Sequence, residues 1–402
     1  MARTGCRRTV LKIAGAAWTV GLAGCLGAGS TGDGAGTTGD GTSESETGPT
    51  AAGDASWPTF GGTAANAGYA ATEGPVESVA ERWRLETGAA VRGGPVVADG
   101  AVYVGNDAGI LSALDAGTGE TTWRFETGEA IRHSPSVTEG TVYVGSDDGF
   151  VYALDAATGA ERWRNEVVPD SGPTVVEGTV YVGGDWSSVY ALEAETGEER
   201  WRFETDGEYV HTTPAVVDDT VYVGSADGAI HAIDARSGEA DWQFGTDETV
   251  RGSPAVADGT VYAGSGDGFV YALEASTGEE RWRFETDGYP NTTPAVHDDT
   301  VFVGCGTEST DRRGDLIALD AATGDVRWEF RVEEQVRTGP AVTDDAVYVG
   351  SDDGAVHAVD VESGEHRWRF PTTDAIVSSP AVAGGAVFVG SDDRRVYAIG
   401  ER

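Results

Sequence analysis

Tryptophan returns along this chain at nearly constant spacing: Trp83, Trp123, Trp163, Trp201, Trp242, Trp282, Trp328 and Trp368. All but the first close a run of one pattern, such as VYVGSDDGFVYALDAATGAERW from Val142 to Trp163. A period of about forty residues marks a repeat architecture, in which one supersecondary unit is copied because it cannot bury its apolar face alone. The repeats fill the chain from Trp83 to Arg402 and leave no room for a second core.

The second unit shows what is being copied. Ser134 to Thr138 opens a strand, Glu139-Gly140 makes a tight turn, and Thr141 to Gly145 is the next strand. Asp147-Asp148-Gly149 turns the chain back into Phe150 to Asp155; Ala156 to Gly159 makes a corner, and Glu161 to Arg164 forms a fourth strand. Four antiparallel strands per unit, repeated round a ring, make a propeller blade. A stacked solenoid would need atypical capping repeats at both ends.

The two ends are complementary halves instead. Trp83 sits in ERWR (Glu81 to Arg84) with no ALDxxTG before it, whereas VFVGSDDRRVYAIGER (Val387 to Arg402) stops short of its Gly-Glu-Arg-Trp strand. The sequence therefore predicts an all-β, eight-bladed propeller of four-stranded antiparallel blades. The N-terminal strand pairs into the C-terminal blade, and closure removes an aggregation-prone edge. The eight tryptophans are expected to dock neighbouring blades, each burying on the order of 200 Å².

Sixty-seven Asp and Glu face twenty-seven Lys and Arg, a formal charge of -40, and the one lysine is Lys12. At about 0.1 M salt the screening length is about 10 Å, so such a surface repels itself; at molar salt it falls to about 3 Å and the repulsion nearly vanishes. The composition reads as that of a halophilic, archaeal protein, with the fold expected to fail on dialysis to about 50 mM salt. It also excludes nucleic acid as a partner, since phosphates need basic patches.

CRRTVLK (Cys6 to Lys12) resembles a twin-arginine export signal, with Arg7 and Arg8 as the pair. The apolar stretch Ile13 to Gly24 is too short to span about 30 Å of hydrocarbon. LAGC (Leu22 to Cys25) resembles a lipobox, which implies cleavage and lipidation of Cys25. Residues 1–25 are thus read as a lipoprotein signal peptide and 26–55 as a flexible acidic tether rich in Gly, Thr and Ser, with residues 56–402 as the propeller. The expected location is the outer face of the cytoplasmic membrane, held by the lipid.

The units ALDAATGAERW (Ala153 to Trp163), ALEAETGEERW (Ala191 to Trp201) and AVDVESGEHRW (Ala358 to Trp368) resemble the pyrroloquinoline-quinone (PQQ) repeat. SWPTFGG (Ser56 to Gly62), with Asn66 and Gly68, resembles the segment ahead of the first blade in such proteins. The resemblance implies an eight-bladed propeller and one of two roles. Quinoprotein alcohol dehydrogenases carry PQQ and calcium at the channel mouth; BamB-like exported lipoproteins are cofactor-free scaffolds of outer-membrane protein assembly. The short single domain and the lipobox favour the second. There is no adjacent Cys-Cys pair, no lysine in the propeller and no long inserted loop. An archaeal halophile has no outer membrane of the bacterial kind, so what carries over is the scaffold, with no cofactor and no metal.

The position three before each blade's first proline reads Arg92, Arg132, Asp170, His211, Arg251, Asn291, Arg337 and Val377. If these prolines open the innermost strands, the eight side chains ring one mouth of the channel. The arginines either pair with acidic turn residues such as Asp107 or Asp148, or bind an anionic small molecule, since guanidinium forks grip carboxylate and phosphate bidentately. Trp186, in the turn Asp185-Trp186-Ser187, is a further candidate contact for a sugar or a partner. Cys305 is expected to be a free thiol, and His231 and His357, standing where other units have Tyr152 and Tyr271, to be packing residues. No catalytic residue emerges. The sequence points to a non-enzymatic scaffold that binds another protein at the cell surface, with an acidic sugar or PQQ at the mouth as the alternative.

Overall fold

Each repeat folds into a blade because its polar punctuation falls at fixed offsets between apolar runs. In a computed structural model, which describes residues 10–11 and 56–402 apart from 185–186, 208 and 307–313, the inner strand of the second blade is Ser136–Thr138. Glu139 and Gly140, at φ 47° and 69°, turn it into Thr141–Gly145. Two left-handed residues make the hairpin turn whose twist matches the strands it joins. Phe150–Asp155 and the outer strand Glu161–Glu166 complete the sheet. In the corner between them, Asp155 Oδ1 accepts from the amide and hydroxyl of Thr158. Hydrogen bonds from Arg162 and Thr158 hold the Asp155 carboxyl down to about 2.

Eight such sheets form, and the eighth takes strands from both ends of the chain. Val79–Glu86 pairs antiparallel with Arg395–Glu401, outside Ala386–Ser391 and Ala381–Ala383. The closed, eight-bladed all-β propeller is therefore as the sequence predicts. Residues 1–25 and 26–55, read as signal and tether, fall outside the described residues except for Val10–Leu11, which pairs with Phe284 and Arg283 on the outer edge of the fifth blade.

The tryptophans dock blade to blade. Trp83 Nε1 donates to the Ala116 carbonyl at 2.8 Å, Trp163 to Ala194 at 2.9 Å and Trp282 to Ala321 at 2.8 Å, each acceptor lying in the corner of the following blade. The corner glycine lies under the ring. A Cβ on Gly159 would sit 2.7 Å from Trp123 Cδ2, and one on Gly324 2.8 Å from Trp282 Cδ2. Glycine is needed there twice, for a φ of 72° and for the close approach. The last blade ends before its corner, and Pro75 stands in: its carbonyl accepts from Trp368 Nε1 at 2.8 Å and the Tyr348 hydroxyl at 3.2 Å. Apolar clusters accordingly lie between adjacent blades, as where Tyr143, Val151 and Ala153 meet Val180, Val182 and Leu192.

Innermost strands leave one edge of each sheet facing the channel. Residues 57–70 thread that channel and cover it. Trp57 exchanges both backbone hydrogen bonds with Val97, and the Val137 amide donates to Pro58 at 2.7 Å. The amides of Val216, Val256, Val296 and Val342 donate to the carbonyls of Ala64, Ala65, Ala67 and Gly68 at 2.7–2.9 Å. Inner strands of six blades are thereby tied to one strap. Its residues are small because the space is: a Cβ on Gly68 would lie 2.5 Å from that of Ala295. Asn66, fully buried at φ 54°, donates through Nδ2 to Thr213 and Pro254 carbonyls at 3.0 and 3.3 Å. The sequence identified this segment only by its resemblance to a pre-blade motif, not as the filling of the channel.

Candidate functional site at the channel mouth

The chain leaving each outer strand crosses to the centre to begin the next inner strand, so residues at one offset arrive at one mouth. Arg92, Arg132, His211, Arg251, Asn291, Arg337 and Val377 together line a cavity of about 180 Å³, with Phe60 of the strap also in its wall. Asp170, at the same offset before the third blade, pairs with Nδ1 of His211.

Three of the four arginines are held by carboxylates. Arg92 Nε lies 3.0 Å from Asp107 and 3.5 Å from Asp392; Arg132 pairs with Asp147 and, at 3.5 Å, with Asp107; Arg337 lies 2.9 Å from Asp352. Each acid is the first of its turn, in the blade on one side or the other. Burial raises the carboxyls of Asp147, Asp352 and Asp392, against the pull of Arg132, Arg337 and Arg92. The expected partner Asp107 is correct, and Asp148 is not.

Asp148 turns into its blade instead, accepting from the Gly128 amide and from the Tyr152 hydroxyl at 2.8 Å. Tyr271 makes the same bond to Asp267, and His231 and His357 replace tyrosine with Nε2 2.9 Å from Asp227 and Asp353. Burial alone would raise Asp227; the His231 hydrogen bond and charge outweigh it and hold the carboxyl low. Both histidines are buried packing residues. A readable signal was available: the first blade carries Ala108 and Ser112 at these two positions, so the acceptor and the ring that reaches it change together.

Arg251 differs from the other three. The turns on either side of it offer Ala226 and Gly266 where the others offer aspartate. Its Nε donates to Thr249 Oγ1 at 3.3 Å, and no carboxylate among the described residues lies within ion-pair distance. Beside it opens a second cavity of about 370 Å³ lined by Tyr209, His211, Ala226, Thr249 and Arg251, together with Asp206 and Asp227. Tyr209 stacks on His211 with ring centroids 5.0 Å apart. Tyr209 and Tyr289 are the large hydrophobic residues that stand exposed among those described, at 41% and 38%.

His133, in the cavity wall, was not singled out from the sequence. Burial pushes its imidazole down to about 4; Asp170 opposes this in part, while His211 and Arg132 add to it. A histidine in the unfolded chain titrates near 6.5. Between about 6.5 and about 4 the unfolded state thus takes up a proton that the folded state refuses, so stability is lost as pH falls through that window. His133→Asn is expected to flatten the fall in denaturation midpoint between about pH 6.5 and about pH 4 relative to wild type. Parallel midpoint curves for the two proteins would rule this out.

The other candidates do not gather here. Trp186 and Cys25 lie outside the described residues. Cys305 carries no disulfide and is buried at 3% exposure. Arg395 pairs across the ring closure with Glu86 at 3.1 Å. Among the described residues no three His, Cys, Asp or Glu side chains converge as a metal site.

The profile of the family described as outer membrane protein assembly factor BamB matches residues 76–167, 147–252, 245–310 and 312–402. The fold is similar to that of BamB from Moraxella catarrhalis, at 24% identity and a TM-score of 0.67 over 81% of this chain and 98% of that one. It is also similar to a quinohemoprotein alcohol dehydrogenase from Pseudomonas putida, at 17% identity and 0.75 over 86% and 80%. A europium-containing methanol dehydrogenase aligns at 17% identity and 0.72 over 86% and 98%. No curated protein matches the sequence.

Proposed function

Since this chain belongs to the PQQ-repeat family of the outer membrane protein assembly factor BamB, we propose that it is a non-catalytic, exported, lipid-anchored scaffold that binds a partner protein through the rim of its channel mouth. One observation carries this reading. The strap runs across the inner strands of six blades and leaves a cavity of about 180 Å³ at the centre of the mouth, below the roughly 300–1,000 Å³ of a pocket that engulfs an organic ligand; the cavity of about 370 Å³ beside Arg251 stands at the low end of that range. What the mouth offers is a broad polar ring, suited to a protein surface.

The dehydrogenase alternative requires PQQ with calcium, and the residues present do not fit that pair. Calcium takes about six to eight oxygen ligands converging on one point. Here Asp107, Asp147, Asp352 and Asp392 are each turned to an arginine, and the described residues hold no convergent acidic set. The export signal and lipidated Cys25 rest on the sequence motifs alone. On this reading the propeller stands at the outer face of the cytoplasmic membrane, with the membrane reached through the lipid.

The test is a pull-down from native membranes at molar salt, comparing the wild-type propeller with one in which Arg92, Arg132, Arg251 and Arg337 are all glutamine. The expected result is a near-stoichiometric protein recovered by the wild type and lost by the variant, with circular dichroism showing both folded. Recovery of no protein by the wild type would overturn the scaffold reading.

A further inference from the structure

We propose that the arc of the mouth centred on Arg251 is a carboxylate-binding site, the carboxylate being an acidic side chain of the partner polypeptide. The inference rests on the scaffold reading only for the source of the carboxylate. The site itself rests on an asymmetry in the rim.

Arg92, Arg132 and Arg337 sit between turns that supply Asp107, Asp147, Asp352 or Asp392, so their charge is already neutralised and an incoming anion meets carboxylates beside them. Arg251 sits between Ala226 and Gly266. Its guanidinium is exposed and borders both cavities, of about 180 and 370 Å³. It holds no other element in place, since its one described hydrogen bond runs to Thr249, two residues away. On a chain of charge -40 this is the arc of the rim where an anion gains a partner without displacing one.

The neighbours set the class of anion. A guanidinium fork pairs bidentately with carboxylate, and such charge-assisted bonds are about twice as strong as neutral ones. His211 lines both cavities, and Asn291 lines the smaller one. Asp206 and Asp227 border the larger cavity, which penalises a doubly charged phosphate more than a monoanion. The rings of Tyr209 and Tyr289 lie two residues before His211 and Asn291, on the crossings to either side of the one that carries Arg251. Exposed tyrosines are suited to the flanking apolar contact of a polypeptide.

The experiment is a ligand-observed NMR titration at molar potassium chloride with two probes, a blocked Gly-Glu-Gly peptide and glutarate. Wild type should bind the peptide. Arg251→Gln should weaken it about tenfold or more, while Arg132→Gln, whose charge is already paired, should change it less than about threefold. The Arg251→Gln protein should melt with the wild type, which separates loss of the site from loss of the fold. Unchanged binding by Arg251→Gln, equal losses in the two variants, or no binding of either probe to wild type would each overturn the site. Glutarate binding about tenfold tighter than the peptide would keep the site and assign its carboxylate to a free organic acid. Arg251-dependent binding together with an empty pull-down would retain this site and remove the scaffold reading.

Discussion

Trp282→Ala lowers the free energy of unfolding by about 3–5 kcal/mol in a denaturant titration at molar salt. The ring of Trp282 is 2% exposed and is the largest of the fully buried side chains. Its removal opens a cavity between the fifth and sixth blades and takes from the Ala321 carbonyl a donor at 2.8 Å. The Tyr262 hydroxyl, at 3.4 Å, is the second donor to that carbonyl and stays behind. Gly324→Ala should also destabilise, since its Cβ would press on the ring and its φ is 72°. The double variant should cost less than the two losses added, because without the ring only the backbone strain remains. Trp163, which is half-buried, should give a smaller loss than Trp282. A Trp282→Ala protein unfolding at the wild-type midpoint would remove the docking role.

Asn66→Ala is expected to cost about 2–4 kcal/mol and to expose the strap to limited proteolysis, because each buried polar group left unpaired costs about 1–3 kcal/mol. Two carbonyls, from the fourth and fifth blades' inner approaches, share its amide. The backbone adds to this, since a φ of 54° is tolerated by asparagine far better than by alanine. Asn66→Asp tests the chemistry separately. It keeps the shape and the backbone preference but turns acceptors toward two acceptors, so it should be at least as damaging as alanine. Equal melting of wild type and both variants would show that the strap can be left out of the account of stability.

The rim was partly legible. Its members could be named because every crossing repeats one offset from a proline, and that offset holds wherever the blade is regular. Which acid each arginine meets could not be named, because Asp147 and Asp148 are adjacent and face opposite ways; only the sheet decides which reaches the mouth. The isolation of Arg251 was readable in outline, since Ala226 and Gly266 stand in plain view in the turns. Reading it required knowing that an arginine meets the turns of both neighbouring blades.

The sequence alone determined the blade, the number of blades and the way the ring closes. Each blade is specified by local patterns, turn residues and alternating strands within about forty positions, and the two half-units at the ends leave one way to complete the last sheet. Tertiary structure decided what contact at a distance decides. It placed residues 57–70 across the inner edges of six blades, put Pro75 in the corner that the last blade lacks, and left one of four rim arginines without an acid among the described residues. No local pattern encodes those partners, because the donors they satisfy belong to strands tens to hundreds of residues away, brought into reach only once the ring has formed.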